Sequence, residues 1–233
     1  MWRIADPMTA WRRNTIGVRG AGLAWAVLVT AVCVWGGGCG AMKYFTYLAT
    51  PEPAGKKVAA EFSELAGHRV AIVIFTDERV QYEYPRARLT LGSVIRAELI
   101  ARLKEVSVTD PVKVCRFQDE HTHWDTMAKS ELARQFGVDY ILFISLMEYS
   151  TREVGSLDLY RGRIAAECSV YRAGMSDNEG RACRCDRIAV AYPKADPSGV
   201  PGDSDRTVRE AAEQMLADAL VKKFYDHKVP IER

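Results

Sequence analysis

The sequence predicts an α/β fold: one mixed sheet built in β-α-β-α-β-β-β-α order, with helices packed on it, following a signal segment. Three observations carry this. Residues 69–75 (RVAIVIF) and 140–146 (YILFISL) are continuous apolar runs rich in β-formers, the pattern of strands covered on both faces. Apolar residues between the runs, and again near the carboxy terminus, recur every three to four positions, the period of helices with one buried stripe. Residues 159–172 and 181–192 are strand-like runs separated by the turn formers Gly174, Asp177, Asn178 and Gly180, which makes them a hairpin.

The chain opens with a different kind of segment. Residues 1–20 are polar and basic, and residues 21–35 (AGLAWAVLVTAVCVW) form an apolar run of 15. That is short of the roughly 20 residues that span a bilayer and suits the apolar region of an export signal. Glycines 36–38 follow, then Cys39. Small residues before a cut site let a peptidase reach extended backbone, and a cysteine just after it offers a thiol for diacylglyceryl transfer. Gly37, Gly38 and Cys39 resemble the lipobox of bacterial lipoproteins; Gly36 departs from it, because that position usually holds Leu or another apolar residue. The resemblance implies lipidation of Cys39, with palmitate-type acyl chains, and attachment to the periplasmic side of the envelope. Gly40 stands where an Asp would mark inner-membrane retention, so the outer membrane is favoured. The alternative is an uncleaved anchor with a free cysteine. Arg12-Arg13 lacks the flanks of a twin-arginine signal.

The expected organisation is therefore a signal peptide over 1–38, a tether over 39–57 and a single α/β domain over 58–233. The tether holds Pro51, Pro53 and Gly55 with little periodicity. Residues 58–62 read as an edge strand and 69–75 as a core strand. After a polar loop, Leu91, Ile95, Leu99 and Leu103 recur at i+4 and define a helix over about 88–105. Residues 112–117, after Pro111, read as a short strand. A helix begins near Thr126 with Asp125 as N-cap and ends at Phe136-Gly137, where glycine supplies the left-handed cap. Residues 140–146 are the central strand. The hairpin follows, then a Pro/Gly-rich loop over 193–202. The last helix covers about 205–224, with Thr207 and Glu210 as a capping box and Val208, Ala212, Met215, Ala219 and Leu220 on its inner face.

The β-α-β-α-β unit ending in Phe136-Gly137-Val138-Asp139-Tyr140-Ile141-Leu142, with the glycine-flanked hairpin and the final amphipathic helix, resembles a family of envelope proteins. Its members include the amino-terminal domain of TolB, the curli secretion lipoprotein CsgG and the penicillin-binding-protein activator LpoB. The chain lacks the long alternating segments CsgG uses as membrane hairpins and the long arm of LpoB. What the resemblance implies is a non-catalytic, membrane-anchored module that binds an envelope protein or self-associates.

Charge points the same way. Of 32 basic residues, Arg3, Arg12, Arg13 and Arg19 precede Cys39, and of 30 acidic residues only Asp6 does. The remainder is one charge to the acidic side of neutral, which gives no electrostatic footprint for nucleic acid. Beyond Cys33 and Cys39 the chain holds Cys115, Cys168, Cys183 and Cys185. An even number in an oxidising compartment suggests disulfides, and a turn near Asp177 sets Cys168 roughly opposite Cys185. The competing chemistry is metal: Cys115, His121 and His123 fall in one short stretch and would serve a metal-dependent enzyme or a metal-binding protein. The loop over 118–125, rich in carboxylates and histidines, follows a strand and opens a helix, where α/β sheets place ligands, but the favoured reading is a capped, solvated loop with Trp124 tucked against the core. The loop over 76–88 carries Tyr82, Tyr84 and Arg86. Together with Trp124 these form the expected partner surface, since aromatics and arginine are what such surfaces favour. No phosphate-binding glycine motif and no Gly-x-Ser-x-Gly turn is present, so no cofactor and no catalytic residue is expected.

Overall fold

The computed structural model describes residues 55–153, 155, 159–194, 200–201 and 204–230. The signal segment, Cys39 and the tether up to residue 54 lie outside them. The main sheet has strand order β3-β2-β4-β5-β6. Strands β2 (Arg69–Phe75), β3 (Ser107–Val108) and β4 (Tyr140–Arg152) are parallel, and β5 (Leu159–Arg172) and β6 (Arg181–Tyr192) extend the sheet antiparallel. The short β7 (Val200–Pro201) adds to β5. Among the described residues, no helix is long and apolar enough to cross a membrane.

Alternation along the two central strands builds a core on each face. Val70, Ile72 and Ile74 of β2, with Leu142 and Ile144 of β4, meet helix α2 (Ala87–Arg102) and helix α5 (Asp205–Val221). Ala71, Val73 and Ile141 point the other way, onto α3 (Pro111–Glu120), Trp124 and α4 (Lys129–Phe136). The stripe Leu91, Ile95 and Leu99 of α2 is fully buried, as its spacing predicts. The hairpin of β5 and β6 has the expected limits, with Val170 opposite Leu142 and Cys168 opposite Ile144.

The expected strand over 112–117 is instead the helix α3. Asp110 Oδ1 accepts the Val112 N–H at 2.9 Å and Pro111 occupies the first turn, where its missing N–H costs nothing. The second strand of the expected order is supplied instead by the two-residue β3 just before it. In the loop over 76–88, Asp77 caps a short helix, α1 (Glu78–Glu83), by accepting the Val80 N–H at 2.8 Å. Helix α4 starts three residues later than expected. Asp125 does not cap it; Asp177 of the hairpin turn accepts the Lys129 N–H at 2.6 Å. It ends as predicted, with Gly137 at φ 66°. On α5 the cap is Ser204 Oγ, which accepts the Thr207 N–H at 3.1 Å, and Glu210 pairs with Arg206 rather than closing a capping box. Glu213, Leu216 and Ala217 are buried on its inner face, whereas Met215 and Ala219 sit at the margin.

The strand expected over 58–62 lies earlier, as β1 (Gly55–Val58), and pairs outside the main sheet with β8 (His227–Pro230). Residues 59–62 instead lie over the 3-10 turn Lys222–Phe224 that follows α5, with the Glu61 and Phe62 N–H groups donating to the Lys223 carbonyl at 2.7 and 3.2 Å.

Helix α5 crosses β5 at Gly162 because no larger residue fits. A Cβ there would stand 2.7 Å from Ala212 Cβ and 2.9 Å from the Val208 carbonyl oxygen. Backbone cannot yield cheaply, so Gly162→Ala is expected to cost about 1–3 kcal/mol, read as a lower urea midpoint. An unchanged midpoint would show that the helix is free to shift.

Candidate functional site

The two long parallel strands end at the same side of the sheet, the place where open α/β sheets leave a crevice. A groove of about 810 Å³ opens there, lined by α1, the far half of β4 and the start of α5. A single extra residue creates its floor. Leu146 pairs with Ala166 and Glu148 with Ala165, so Met147 is a bulge. Before it the core face carries Leu142, Ile144 and Leu146; after it the phase shifts, and Tyr149 and Thr151 turn inward. Met147 is left 57% exposed on the groove.

Behind the groove lies a buried polar chain. Glu213 is 2% exposed and its Oε1 accepts the hydroxyls of Thr90 and Tyr149, both at 2.6 Å. Tyr149 packs against Tyr84 with ring centroids 4.8 Å apart. The Tyr84 hydroxyl meets Thr151 Oγ1 at 3.1 Å, and Thr151 in turn donates to Asp205 at the first turn of α5. Burial holds the Glu213 carboxyl above its ordinary value, opposed by the two hydroxyl donors and by Arg209. Burial likewise raises the Tyr149 phenol, with the nearby Glu213 charge adding to it. The groove lining carries the carboxylates of Asp77, Glu83, Glu148 and Asp205 and the guanidiniums of Arg79, Arg152, Arg163 and Arg209. Several are already paired, Arg163 to Glu148 at 3.2 Å, Arg79 to Glu83 at 3.3 Å and Arg209 to Asp205 at 3.5 Å. What remains for a ligand is a notch of balanced charge with aromatic and thioether edges.

The expected partner residues separate. Tyr82 on α1 is 89% exposed, Arg86 is exposed, and Tyr84 is half-buried between the groove and Tyr149. Trp124 does not belong with them: it is 7% exposed and packs near Phe75 in the core under α3 and α4. The metal set does not assemble either. His121 stacks on Phe117 with Nδ1 2.9 Å from its carbonyl oxygen, and burial raises the half-buried Cys115 thiol on α3. Among the described residues Cys115, His121 and His123 form no ligand group. Cys168 lies opposite Cys185 in the register, and both are free thiols. The bulge at Met147 and the buried Glu213 escaped the sequence reading. The only signal for the bulge was a strand whose apolar alternation breaks at Met147-Glu148 and resumes at Tyr149.

No family model matches the chain, and no curated protein matches it. In fold it is similar to the PelC dodecamer from Paraburkholderia phytofirmans, at 12% identity and TM-score 0.43 over 72% of this chain and 93% of that one. It is also similar to the lipoprotein GNA1162 from Neisseria meningitidis, at 15% identity and TM-score 0.38 over 66% and 96%. A minor lipoprotein from Acinetobacter baumannii is similar at 10% identity and TM-score 0.30 over 66% and 90%. Likeness at this level assigns no function to the chain.

The buried carboxyl makes a pH prediction. Because the folded state holds the Glu213 proton more tightly than the unfolded chain, the native state binds more protons between the ordinary value of 4.5 and the higher folded one. Stability is therefore lost as pH rises through that window. Glu213→Gln keeps an acceptor for both hydroxyls and removes the titration. Its stability relative to the parent is expected to climb with pH over that window and then level off, measured by urea unfolding. A difference flat in pH would mean that Glu213 titrates as an exposed carboxyl.

Proposed function

We propose that the chain is a bacterial envelope lipoprotein, anchored through Cys39, whose α/β domain binds a protein partner by the rim of the groove and turns over no substrate. The observation that carries the binding role is the exposure of Met147 on the groove, at 57%, and of Tyr82 on α1, the helix that lines it, at 89%. Large side chains left in water next to a concave, charge-paired surface are what a contact hot spot uses. The anchor is supported by the apolar run over 21–35 followed by Gly37-Gly38-Cys39, and outer-membrane placement on the periplasmic side by Gly40 in place of Asp. The partner is another envelope protein or a second copy of the chain. The pre-paired arginines and carboxylates of the lining support docking over acid-base chemistry, which needs a group free to exchange its proton.

Two measurements check this reading. Intact-mass analysis of the mature protein is expected to show loss of residues 1–38 and a diacylglyceryl adduct on Cys39, and Cys39→Ser is expected to release the chain from membranes. A retained Met1 or an unmodified Cys39 would remove the lipid anchor. A photo-crosslinker placed at position 82 is expected to give a discrete adduct in the envelope that Met147→Glu abolishes, with far-UV circular dichroism unchanged. No adduct, or one indifferent to Met147→Glu, would remove the groove from the contact.

A further inference from the structure

A second cluster of chemically competent side chains lies away from the groove, where β6, the end of α5 and the segment after β1 meet. Cys183 and Cys185, two apart on β6, point to the same face of the strand, and their Sγ atoms are 3.9 Å apart. One ligand atom from each of these thiols and from the Glu61 carboxylate lies within 4.8 Å of the other two. We propose that Glu61, Cys183 and Cys185 form a binding site for a single thiophilic divalent cation of the zinc class. It is independent of the anchor and of the groove.

The geometry fits the ion without rearranging the strand. With zinc-sulfur bonds of about 2.3 Å, tetrahedral angles put two thiolate sulfurs about 3.8 Å apart. A Cys-x-Cys pair meets that spacing on a strand because the period of two turns both side chains the same way. Glu61 is fixed from two directions. Its N–H donates to the Lys223 carbonyl at 2.7 Å, and its Oε1 accepts from Lys223 Nζ at 2.5 Å. A carboxylate has a second oxygen, so the metal can take one while the ammonium keeps the other. Charge also balances. Binding releases one proton from each thiol to solvent, and two thiolates with one carboxylate against a dication leave one negative charge, which the Lys223 ammonium offsets. The sulfurs are half-buried and buried and Glu61 is exposed, so the cation has an entry path and a fourth position open to water.

Cys168 sets the competing chemistry. It pairs with Cys185 across the strands, and a Cys168–Cys185 disulfide would consume one ligand. The experiment therefore uses the full chain in detergent, reduced and freed of metal, titrated with Co2+ alone and read by sulfur-to-cobalt charge transfer and tetrahedral d–d absorption. One equivalent is expected to bind and to be displaced by Zn2+. Cys168→Ala is expected to bind at least as well as the parent, whereas Cys183→Ala and Cys185→Ala lose the bands. Outer-shell partners are worth roughly 10–100-fold in metal affinity, so removing a ligand with Glu61→Gln should weaken binding at least about tenfold. Glu61 is exposed, so this variant keeps the fold even where a buried-cysteine variant does not. Absence of the cobalt bands in Cys168→Ala, or bands of equal strength and affinity in Glu61→Gln, would overturn the site.

Discussion

Strand β4 is the constraint on which the other layers depend. Over residues 140–145 both of its edges are paired, to β2 on one side and β5 on the other, and both of its faces pack into a core. Ile141, Leu142 and Ile144 are fully buried, each worth about 1.5–3 kcal/mol of apolar burial. A slip of one residue would exchange the two faces and break both cores at once. Asp139, just before the strand, secures the register. Its carboxylate accepts the Arg69 backbone N–H at 2.9 Å and the Arg69 guanidinium at 3.0 Å, while its carbonyl accepts the Ala173 N–H at 2.9 Å. One residue thus ties the start of β2, the start of β4 and the end of β5. The double hydrogen bond to Arg69 holds the Asp139 carboxyl below its usual range.

The same strand also makes the groove, by giving up its alternation once. Were the ladder regular through Met147, Glu148 would stand in phase with Leu146 and face the core, and Tyr149 would face away. The bulge returns Tyr149 and Thr151 to the α5 side, where Glu213 and Asp205 receive their hydroxyls. A matching irregularity lies between Ala166 and Cys168 in the pairing of β5 with β6, where the inward residues of β6 change from Cys183 and Cys185 to Ile188 and Val190. The groove floor is thus a product of a local departure from a regular ladder, whereas the thiol pair follows from its regular period of two.

These features divide what could be read in the residues from what could not. β2, α2, the limits of the hairpin and the Gly137 cap each follow from a signal within a few residues, and each was legible. Residues 112–117 were ambiguous because Val112 and Val114 alternate with Lys113 and Cys115 as a strand would. The buried set Val114, Phe117 and Gln118 has helical spacing, and the Asp110-Pro111 start decides the matter. The cap of α4 was not legible, because Asp177 lies 48 residues away and reaches Lys129 only once the hairpin has folded back. The burial of Glu213 was not legible either. Its burial depends on two hydroxyls from different elements, and nothing near it in sequence announces them. Cys183 and Cys185 could be placed on one face of a strand, but the carboxylate beside them comes from a segment more than a hundred residues earlier.

The charge pattern of the groove bears on how recognition there would work. A site that steers its ligand by electrostatics holds a surplus of one sign, and this lining has four carboxylates against four guanidiniums. The Arg163–Glu148 and Arg209–Asp205 pairs are partly shielded from water and oriented in the free protein, so a partner gains little by replacing them and loses by separating them. In the proposed reading the binding energy would come from surface that water covers in the free state, such as Met147 on the groove and Tyr82 on α1. The ion pairs would then set specificity instead. A partner that leaves them intact can settle against the exposed tyrosine, and one that buries an unmatched charge against Arg79 or Glu148 is excluded.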